Sequence, residues 1–132
     1  MKIAEIDHIH LYVENIEQAE KWYNEILGFE RDPSLYFWFE QGGPLVIRNN
    51  RASLSLFLRK SQPPGHTVAF GVAASSFNEL MPVLRKNKIP FSVSVSDHDV
   101  SMSVYFSDLS NNKIEVTSYD YLHAKQILES FT

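Results

Sequence analysis

Residues 6–13 of the chain read Ile6-Asp7-His8-Ile9-His10-Leu11-Tyr12-Val13. Aliphatic side chains occupy every second position from Ile9 to Val13, while His8, His10 and Tyr12 occupy the positions between them. A period of two is typical of a β-strand that has one face against a hydrophobic core. The stretch therefore predicts a strand whose other face carries two histidines and a tyrosine.

A helix is predicted directly after this strand. Asn15 is a favourable N-cap residue, and Gln18 stands three positions later, where a capping-box partner is found. Gly28 suits the left-handed conformation that ends many helices. The apolar stripe of the helix consists of Ile16, Ala19, Tyr23, Ile26 and Leu27. Three strand-like runs are predicted to follow, at Leu35–Glu40, Leu45–Arg48 and Ala52–Arg59.

The same order of elements recurs in the second half of the chain. Residues 61–65, Ser-Gln-Pro-Pro-Gly, are the expected linker, and an alternating strand follows them around Val68, Phe70 and Val72. A capping box of Ser76 and Glu79 predicts a second helix. Further elements are predicted as strands near Phe91–Val95, Val100–Ser107 and Lys113–Ser118 and a short helix at residues 121–131.

Each half therefore has the order strand–helix–strand–strand–strand. We predict one domain of the α+β class, residues 1–132, with modules at about 3–60 and about 66–119. Neither module is large enough to bury a core alone, so we expect the two βαβββ modules to pair into a cavity-forming sheet with the helices outside. The repeated Asn49-Asn50 and Asn111-Asn112 turns support this repeat.

Composition limits the chemistry that this domain can perform. The chain has 132 residues and no cysteine, which excludes disulfides, a thiolate nucleophile and cysteine-ligated metals. A net charge of −4 without long basic runs argues against a nucleic-acid partner. Because no apolar run could span a membrane and Met1–Asp7 is charged, we expect a cytoplasmic protein with no membrane partner.

Two sequence motifs together resemble a known family. The first is Ile6–Val13 followed by Ala19, Trp22-Tyr23 and Ile26-Leu27-Gly28-Phe29, and the second is the stretch Ser103–Val116. They resemble the opening and the closing strand pair of the vicinal oxygen chelate superfamily, which includes glyoxalase I, fosfomycin-resistance proteins, bleomycin-binding proteins and extradiol dioxygenases. The resemblance implies paired βαβββ modules, the glyoxalase/bleomycin-resistance fold, and a homodimer.

The resemblance implies a divalent metal ion, Mn, Fe, Zn or Ni, bound by His8, His66 and Glu115. Imidazole and carboxylate groups are ligands that such ions accept. On the residues alone, His8 can instead be a hydrogen-bonded histidine at the strand start, and Glu115 can pair with Lys113 or Arg51 or be protonated. Simple alternation turns His66 toward the helix side, unless a bulge reverses the face.

Ser53 corresponds to Glu115 in the repeat, and a serine is a poor metal ligand, which excludes a site with four protein ligands of the glyoxalase I kind. His10 can be a substitute ligand, a proton-transfer group or a cavity wall. Asp97–Ser101 resembles a segment of the dioxygenase branch, so His98 joins Tyr105 and Glu115 as catalytic candidates, with an exposed turn histidine as the alternative. The predicted cavity lining is His10, Tyr12, Phe37, Trp38, Ser53, Phe57 and Thr67.

Two functions follow from this resemblance. The first is a protein that holds a small organic molecule in an inter-module cavity, where a divalent metal acts as a Lewis acid. Lyase or isomerase chemistry, epoxide opening and extradiol cleavage are the compatible reactions. The alternative is a metal-free protein of the drug-sequestering, bleomycin-resistance-like kind.

Overall fold

The computed structural model describes residues 1–94 and 99–132 of the chain. The chain divides into two compact units, Met1–Pro64 and Gly65–Thr132, and each unit contains one four-stranded sheet. Among the described helices, none has the length and apolar character needed to cross a membrane.

Unit 1 has two strands that run in parallel, β1 and β4, at one side of its sheet. The sheet order is β1-β4-β3-β2, and the remaining neighbours are antiparallel. The elements of unit 1 are β1 (Ile9–Val13), α1 (Ile16–Leu27), β2 (Glu30–Arg31), a 3-10 turn (Pro33–Leu35), α2 (Tyr36–Glu40), β3 (Leu45–Asn49) and β4 (Ala52–Leu58).

The core of unit 1 lies between the sheet and α1. Leu11 and Val13 of β1 are buried on the same face as Leu54 and Leu56 of β4, and α1 packs against β3 and β4. Burial of a side chain of this size contributes roughly 1.5–3 kcal/mol. The predicted alternation of β1 is confirmed, because His8, His10 and Tyr12 are left with the opposite face.

The predicted ends of α1 are also confirmed. The Asn15 Oδ1 atom accepts a hydrogen bond of 2.9 Å from the backbone N–H of Gln18, which satisfies one of the free donors of the first turn. Gly28 adopts a positive φ of 70°, and its N–H donates to the carbonyl of Asn24. Asn15 and Gly28 therefore determine where α1 begins and ends.

The strand predicted at Leu35–Glu40 is wrong, since this segment is helical. Asp32 caps the 3-10 turn by accepting a hydrogen bond from the Ser34 N–H, and Pro33 takes the first position of the turn, where its missing N–H costs nothing. The turn continues directly into α2. The two-residue strand β2 pairs with β3 in its place.

Unit 2 repeats the sheet order of unit 1, as β5-β8-β7-β6, again with its first two strands parallel. This confirms the α+β class with two βαβββ modules and helices packed beside the sheets. The elements of unit 2 are β5 (Val68–Gly71), a 3-10 turn (Ala74–Ser76), α3 (Phe77–Lys86), β6 (Ser92–Val93), β7 (Met102–Ser107), β8 (Lys113–Ser118) and α4 (Tyr121–Glu129).

The capping box predicted at Ser76 and Glu79 is wrong. Ser76 closes the 3-10 turn with helical backbone angles, φ −63° and ψ −23°, and its side chain makes no capping hydrogen bond. An N-cap residue needs an extended backbone for its side chain to reach the first N–H groups. The predicted bounds of β8 are confirmed, whereas the strand predicted near Phe91–Val95 is reduced to β6, and Val95 lies outside the described residues.

Candidate functional site

The face of the unit 1 sheet that points away from α1 carries the polar residues of the first module. In the strand register, His10 of β1 lies beside Ser55 of β4, and Ser55 lies beside Val46 of β3. Tyr12 lies beside Phe57 in the next row. Because side chains level with each other in a sheet share a face, these residues form one continuous surface.

His8 is held by hydrogen bonds to both of its ring nitrogens. Its Nδ1 atom lies 2.8 Å from Asp7 Oδ2, and its Nε2 atom lies 3.0 Å from Nε2 of His10. A carboxylate oxygen only accepts, so Nδ1 carries the proton and a neutral His8 presents a lone pair at Nε2. The Nε2 atom of His8 therefore accepts its hydrogen bond from the Nε2–H group of His10.

His10 is packed between two other rings. Its centroid lies 5.0 Å from that of His8, with the ring planes nearly parallel at 28°, and 4.6 Å from that of Phe57. The Tyr12 ring also lies near Phe57, with 5.8 Å between the two centroids. Aromatic contacts of this kind restrict ring rotation, so the orientation of His10 is set by the sheet face on which it lies.

A cavity of about 360 Å³ opens on this surface of unit 1. That volume falls within the range of roughly 300–1,000 Å³ found for small-molecule sites. The lining is mostly apolar and includes one wall from the segment that follows β2. The lining residues are Asp7, His8, His10, Leu35, Trp38, Pro44, Val46 and Ser55.

Two of the predicted cavity residues, His10 and Trp38, line this cavity. Tyr12, Phe57 and Ser53 belong to strands β1 and β4 and share the sheet face with His10, but they do not line the cavity. Phe37 precedes Trp38 in α2 and also lies outside the lining.

Sequence reasoning missed several of the lining residues. Ser55 alternates with Ser53, so the period of β4 already places the two serines on one face. Asp7 precedes the predicted ligand His8, and a carboxylate next to such a histidine is a common partner. Leu35 and Pro44 belong to connecting segments, whose position no period in the sequence reveals.

The second module presents Glu115 on the corresponding strand. Its Oε2 atom accepts a hydrogen bond of 2.8 Å from the Ser103 hydroxyl, and the N–H of Ser103 donates to Ser94 Oγ at 2.9 Å. Tyr105 of β7 lies beside Glu115 in the register and is exposed. Arg51, one of the partners considered for Glu115, forms an ion pair with Glu5 instead.

Strand β5 pairs with the strand that carries Glu115, but it has no metal-binding side chain directly beside Glu115. Ala69 of β5 lies directly beside Glu115. His66 and Thr67 both precede β5, which begins at Val68, and both are exposed. The catalytic candidate His98 lies outside the described residues. The roles predicted for His66, Thr67, Tyr105 and Glu115 stay predictions.

Metal-binding side chains do not form a larger cluster in the described part of the chain. Within residues 1–94 and 99–132, no group of three or more His, Asp or Glu side chains is placed to hold a metal ion. The pair formed by His8 and His10 is the arrangement of imidazoles that lines the cavity. The two rings are joined by the hydrogen bond between their Nε2 atoms.

The fold of the chain is shared with several solved structures of low sequence identity. A protein from Bacillus anthracis assigned to the glyoxalase family superposes with a TM-score of 0.74 at 24% identity, covering 91% of this chain and 98% of that one. The lactoylglutathione lyase of Agrobacterium tumefaciens gives 0.72 at 20% identity, with coverage of 89% and 96%. The fosfomycin resistance protein FosX of Listeria monocytogenes, solved with Mn(II) and sulfate, gives 0.71 at 14% identity, with coverage of 95% and 98%.

The sequence itself matches a family over most of its length. No curated protein matches the chain. Residues 5–116 match the family described as the Glyoxalase/Bleomycin resistance protein/Dioxygenase superfamily. That match covers most of both modules and includes every candidate site residue named above. The chain therefore belongs to the Glyoxalase/Bleomycin resistance protein/Dioxygenase superfamily.

Proposed function

We propose that this chain binds a small organic molecule in the cavity of unit 1 and holds a divalent metal ion with His8 as one of its ligands. The observation that carries the proposal is the position of His8 and His10 in the wall of a cavity whose other lining includes Leu35, Trp38, Pro44 and Val46. Apolar walls with a few placed polar groups are the usual composition of small-molecule sites. The proposal differs from the inter-module cavity expected from the sequence, because unit 1 builds this cavity from its own residues.

The metal, when bound, would act as a Lewis acid that polarises an oxygen atom of the bound molecule. Asp7 holds the Nδ1 proton of His8, so its Nε2 atom, which accepts the hydrogen bond of His10 in this structure, is the atom that would bind the metal in place of that bond. The solved relatives include one structure that contains Mn(II) and one lactoylglutathione lyase, which supports Mn among the candidate ions and a lyase among the candidate reactions. We also propose Tyr105 and His98 as acid–base groups and a homodimer as the assembly.

A metal-free binding protein is the second candidate function. Ser53 is buried on the cavity-side face of β4, at the position that the repeat relates to Glu115. A serine there leaves the first module without the carboxylate that a symmetric metal site would require. Binding in that case would depend on the apolar walls and on hydrogen bonds to the histidines.

Metal analysis of protein purified without chelators or a nickel column tests the proposal. We expect one equivalent of Mn, Fe, Zn or Ni per chain, and a clearly lower metal content in the His8→Ala variant, because a lost ligand weakens metal binding. Glu115→Gln and His66→Ala are measured beside it, since the resemblance implies both as ligands.

The outcome separates the two candidate functions. Protein that takes up no metal, even after incubation with each ion, would leave the metal-free binding function. Metal content that is unchanged in His8→Ala would contradict the ligand role of His8. Oligomeric state, measured by light scattering on the same samples, tests the proposed homodimer.

A further inference from the structure

We infer that Ser55 and His10 together recognise one polar group of the bound molecule, a group that both donates and accepts a hydrogen bond, as an amide or a hydroxyl does. The inference rests on the proposed binding of a small molecule in the cavity of unit 1, and it identifies the chemical class of that molecule. It follows from the hydrogen bonding of two neighbouring side chains in the cavity lining.

Ser55 places a hydroxyl group in the lining of the cavity. The residue is only 4% exposed and lies between two paired strands, beside Val46 of β3 and beside His10 of β1. Within residues 1–94 and 99–132, its hydroxyl forms no hydrogen bond. Most buried hydroxyl groups have a partner, because burial without one is unfavourable. A molecule in the cavity can supply that partner by accepting a hydrogen bond from Ser55.

His10 supplies an acceptor next to this hydroxyl. Asp7 accepts the Nδ1 proton of His8, so His8 has no proton at Nε2 and the hydrogen bond between the two rings has a fixed direction. The Nε2–H group of His10 is the donor of that bond, at 3.0 Å. The Nδ1 atom of a neutral His10 therefore keeps its lone pair, and it can accept a hydrogen bond from a bound molecule.

The two side chains are neighbours on parallel strands. Ser55 and His10 lie level in the register of β4 and β1, and neighbouring strands are about 4.7–4.9 Å apart. Hydrogen bonds of roughly 2.7–3.2 Å can join both side chains to one hydroxyl oxygen, or to the adjacent nitrogen and oxygen atoms of an amide. A carboxylate only accepts and an ammonium group only donates, so neither group matches both side chains.

The rest of the molecule is expected to be aromatic. The cavity lining also contains the indole of Trp38 and the aliphatic side chains of Leu35, Pro44 and Val46. A flat apolar body buries its surface well against such groups. The cavity thus favours an aromatic molecule that carries an amide or a hydroxyl group.

Two pairs of fluorescent probes, matched except for the hydrogen-bond donor, test this recognition. One pair is 2-quinolinone, which is a cyclic amide, and its N-methyl derivative, and the other is 2-naphthol and 2-methoxynaphthalene. Fluorescence titration of the full-length protein, with a chelator present to remove metal ions, measures the Kd of each probe. Wild type is expected to bind the donor-bearing member of at least one pair about threefold to tenfold more tightly, the effect of one neutral hydrogen bond.

Three variants assign that preference to the two side chains. His10→Phe is expected to abolish it, because a ring remains but the acceptor is lost. Ser55→Ala is expected to weaken binding of both members of the pair by about threefold or more, since both can accept through their oxygen atom. Ser53→Ala is the matched control, because Ser53 is a buried serine of the same strand that does not line the cavity, and it is expected to change each Kd by less than about twofold.

Unfolding midpoints of all variants, measured in denaturant, separate loss of a hydrogen bond from loss of the fold. A preference that persists in His10→Phe, or Kd values that Ser55→Ala leaves unchanged, would overturn the inference and leave small-molecule binding in place. Equal binding of both members of both pairs by wild type would overturn it as well. A wild-type protein that binds none of the four probes would instead contradict the proposed binding in this cavity, and the inference with it.

Discussion

Asp32 shows how one carboxylate positions a wall of the cavity. Its Oδ1 atom accepts from both the N–H and the hydroxyl of Ser34, at 3.0 and 2.6 Å, and its Oδ2 atom lies 3.4 Å from Arg48 Nε. Hydrogen bonds from Ser34, with a smaller effect of Arg48, lower the pKa of Asp32 below its ordinary value. The 3-10 turn that starts here leads to Leu35 and Trp38, which line the cavity.

The pH dependence of stability tests this role of Asp32. Because the pKa is lower in the folded protein, the carboxylate stabilises the fold fully above the unfolded pKa of about 3.9, and this stabilisation is lost as the pH falls through the folded pKa. Wild type is therefore expected to be more stable than Asp32→Asn at neutral pH, and the difference is expected to vanish in strong acid.

Denaturant unfolding over a series of pH values measures that difference. In a Ser34→Ala background the difference between Asp and Asn at position 32 is expected to shrink, since the main hydrogen-bond donor is gone. A difference that stays constant from neutral to strongly acidic solution would contradict the role given to the carboxylate.

Among the elements, helix α1 ends at Gly28, which has a left-handed backbone conformation that favours glycine. Gly28 has a φ of 70°, and a Cβ atom there would lie 3.3 Å from Asn49 Nδ2. That amide group donates to the carbonyl of Leu27 at 2.8 Å, so it closes the last turn of the helix. The end of α1 and the end of β3 therefore stabilise each other.

We expect Gly28→Ala to lower the free energy of unfolding by about 1–2 kcal/mol, the cost of a left-handed conformation for a residue with a Cβ atom. Gly65→Ala is the matched control, because its φ is not in the left-handed region and no atom lies within 4 Å of the added Cβ. Denaturant titration of both variants provides the comparison, and equal losses in the two would contradict the explanation.

At the scale of the whole molecule, the proposed function depends on an apolar site that a small molecule can enter. Trp38 and Phe37 are neighbours in α2 with similar exposure, 43% and 46%, but Trp38 lines the cavity and Phe37 does not. This pair separates binding in the cavity from binding to an exposed aromatic surface.

An aromatic sulfonate dye that fluoresces in apolar surroundings, 1-anilinonaphthalene-8-sulfonate, is a suitable probe. Trp38→Ala is expected to weaken dye binding by roughly fivefold, because it removes a large apolar contact. Phe37→Ala is expected to change binding by less than about twofold. Fluorescence titration measures both, and an equal effect of the two substitutions would show that the dye binds outside the cavity.

The alternation of apolar and polar residues and the helix-capping residues predicted the parts of the fold that depend on neighbouring residues in the sequence. The alternation of residues 6–13 identified the face of β1 that carries both histidines, and Asn15 and Gly28 identified the ends of α1. The aromatic residues of Leu35–Glu40 favour a strand, but this segment is helical. Asp32 caps a 3-10 turn that begins at Pro33, and this turn continues into the helix α2.

The candidate site was predictable only in part. His8, His10 and Trp38 were named from the sequence, but Leu35 and Pro44 come from connections whose position depends on the folded sheet. The 3.0 Å contact between the two imidazoles also depends on rotamers, which strand period does not determine.

The hydrogen bonds among Asp7, His8 and His10 join residues within four positions of one another. The reactive groups therefore depend on one short segment, whereas the cavity wall that includes Leu35, Trp38 and Pro44 is encoded some thirty positions later. Substitutions in the later segment can reshape the wall and leave the imidazoles in place. Within such a design, the preference for one molecule over another can change during evolution while the chemical groups stay the same.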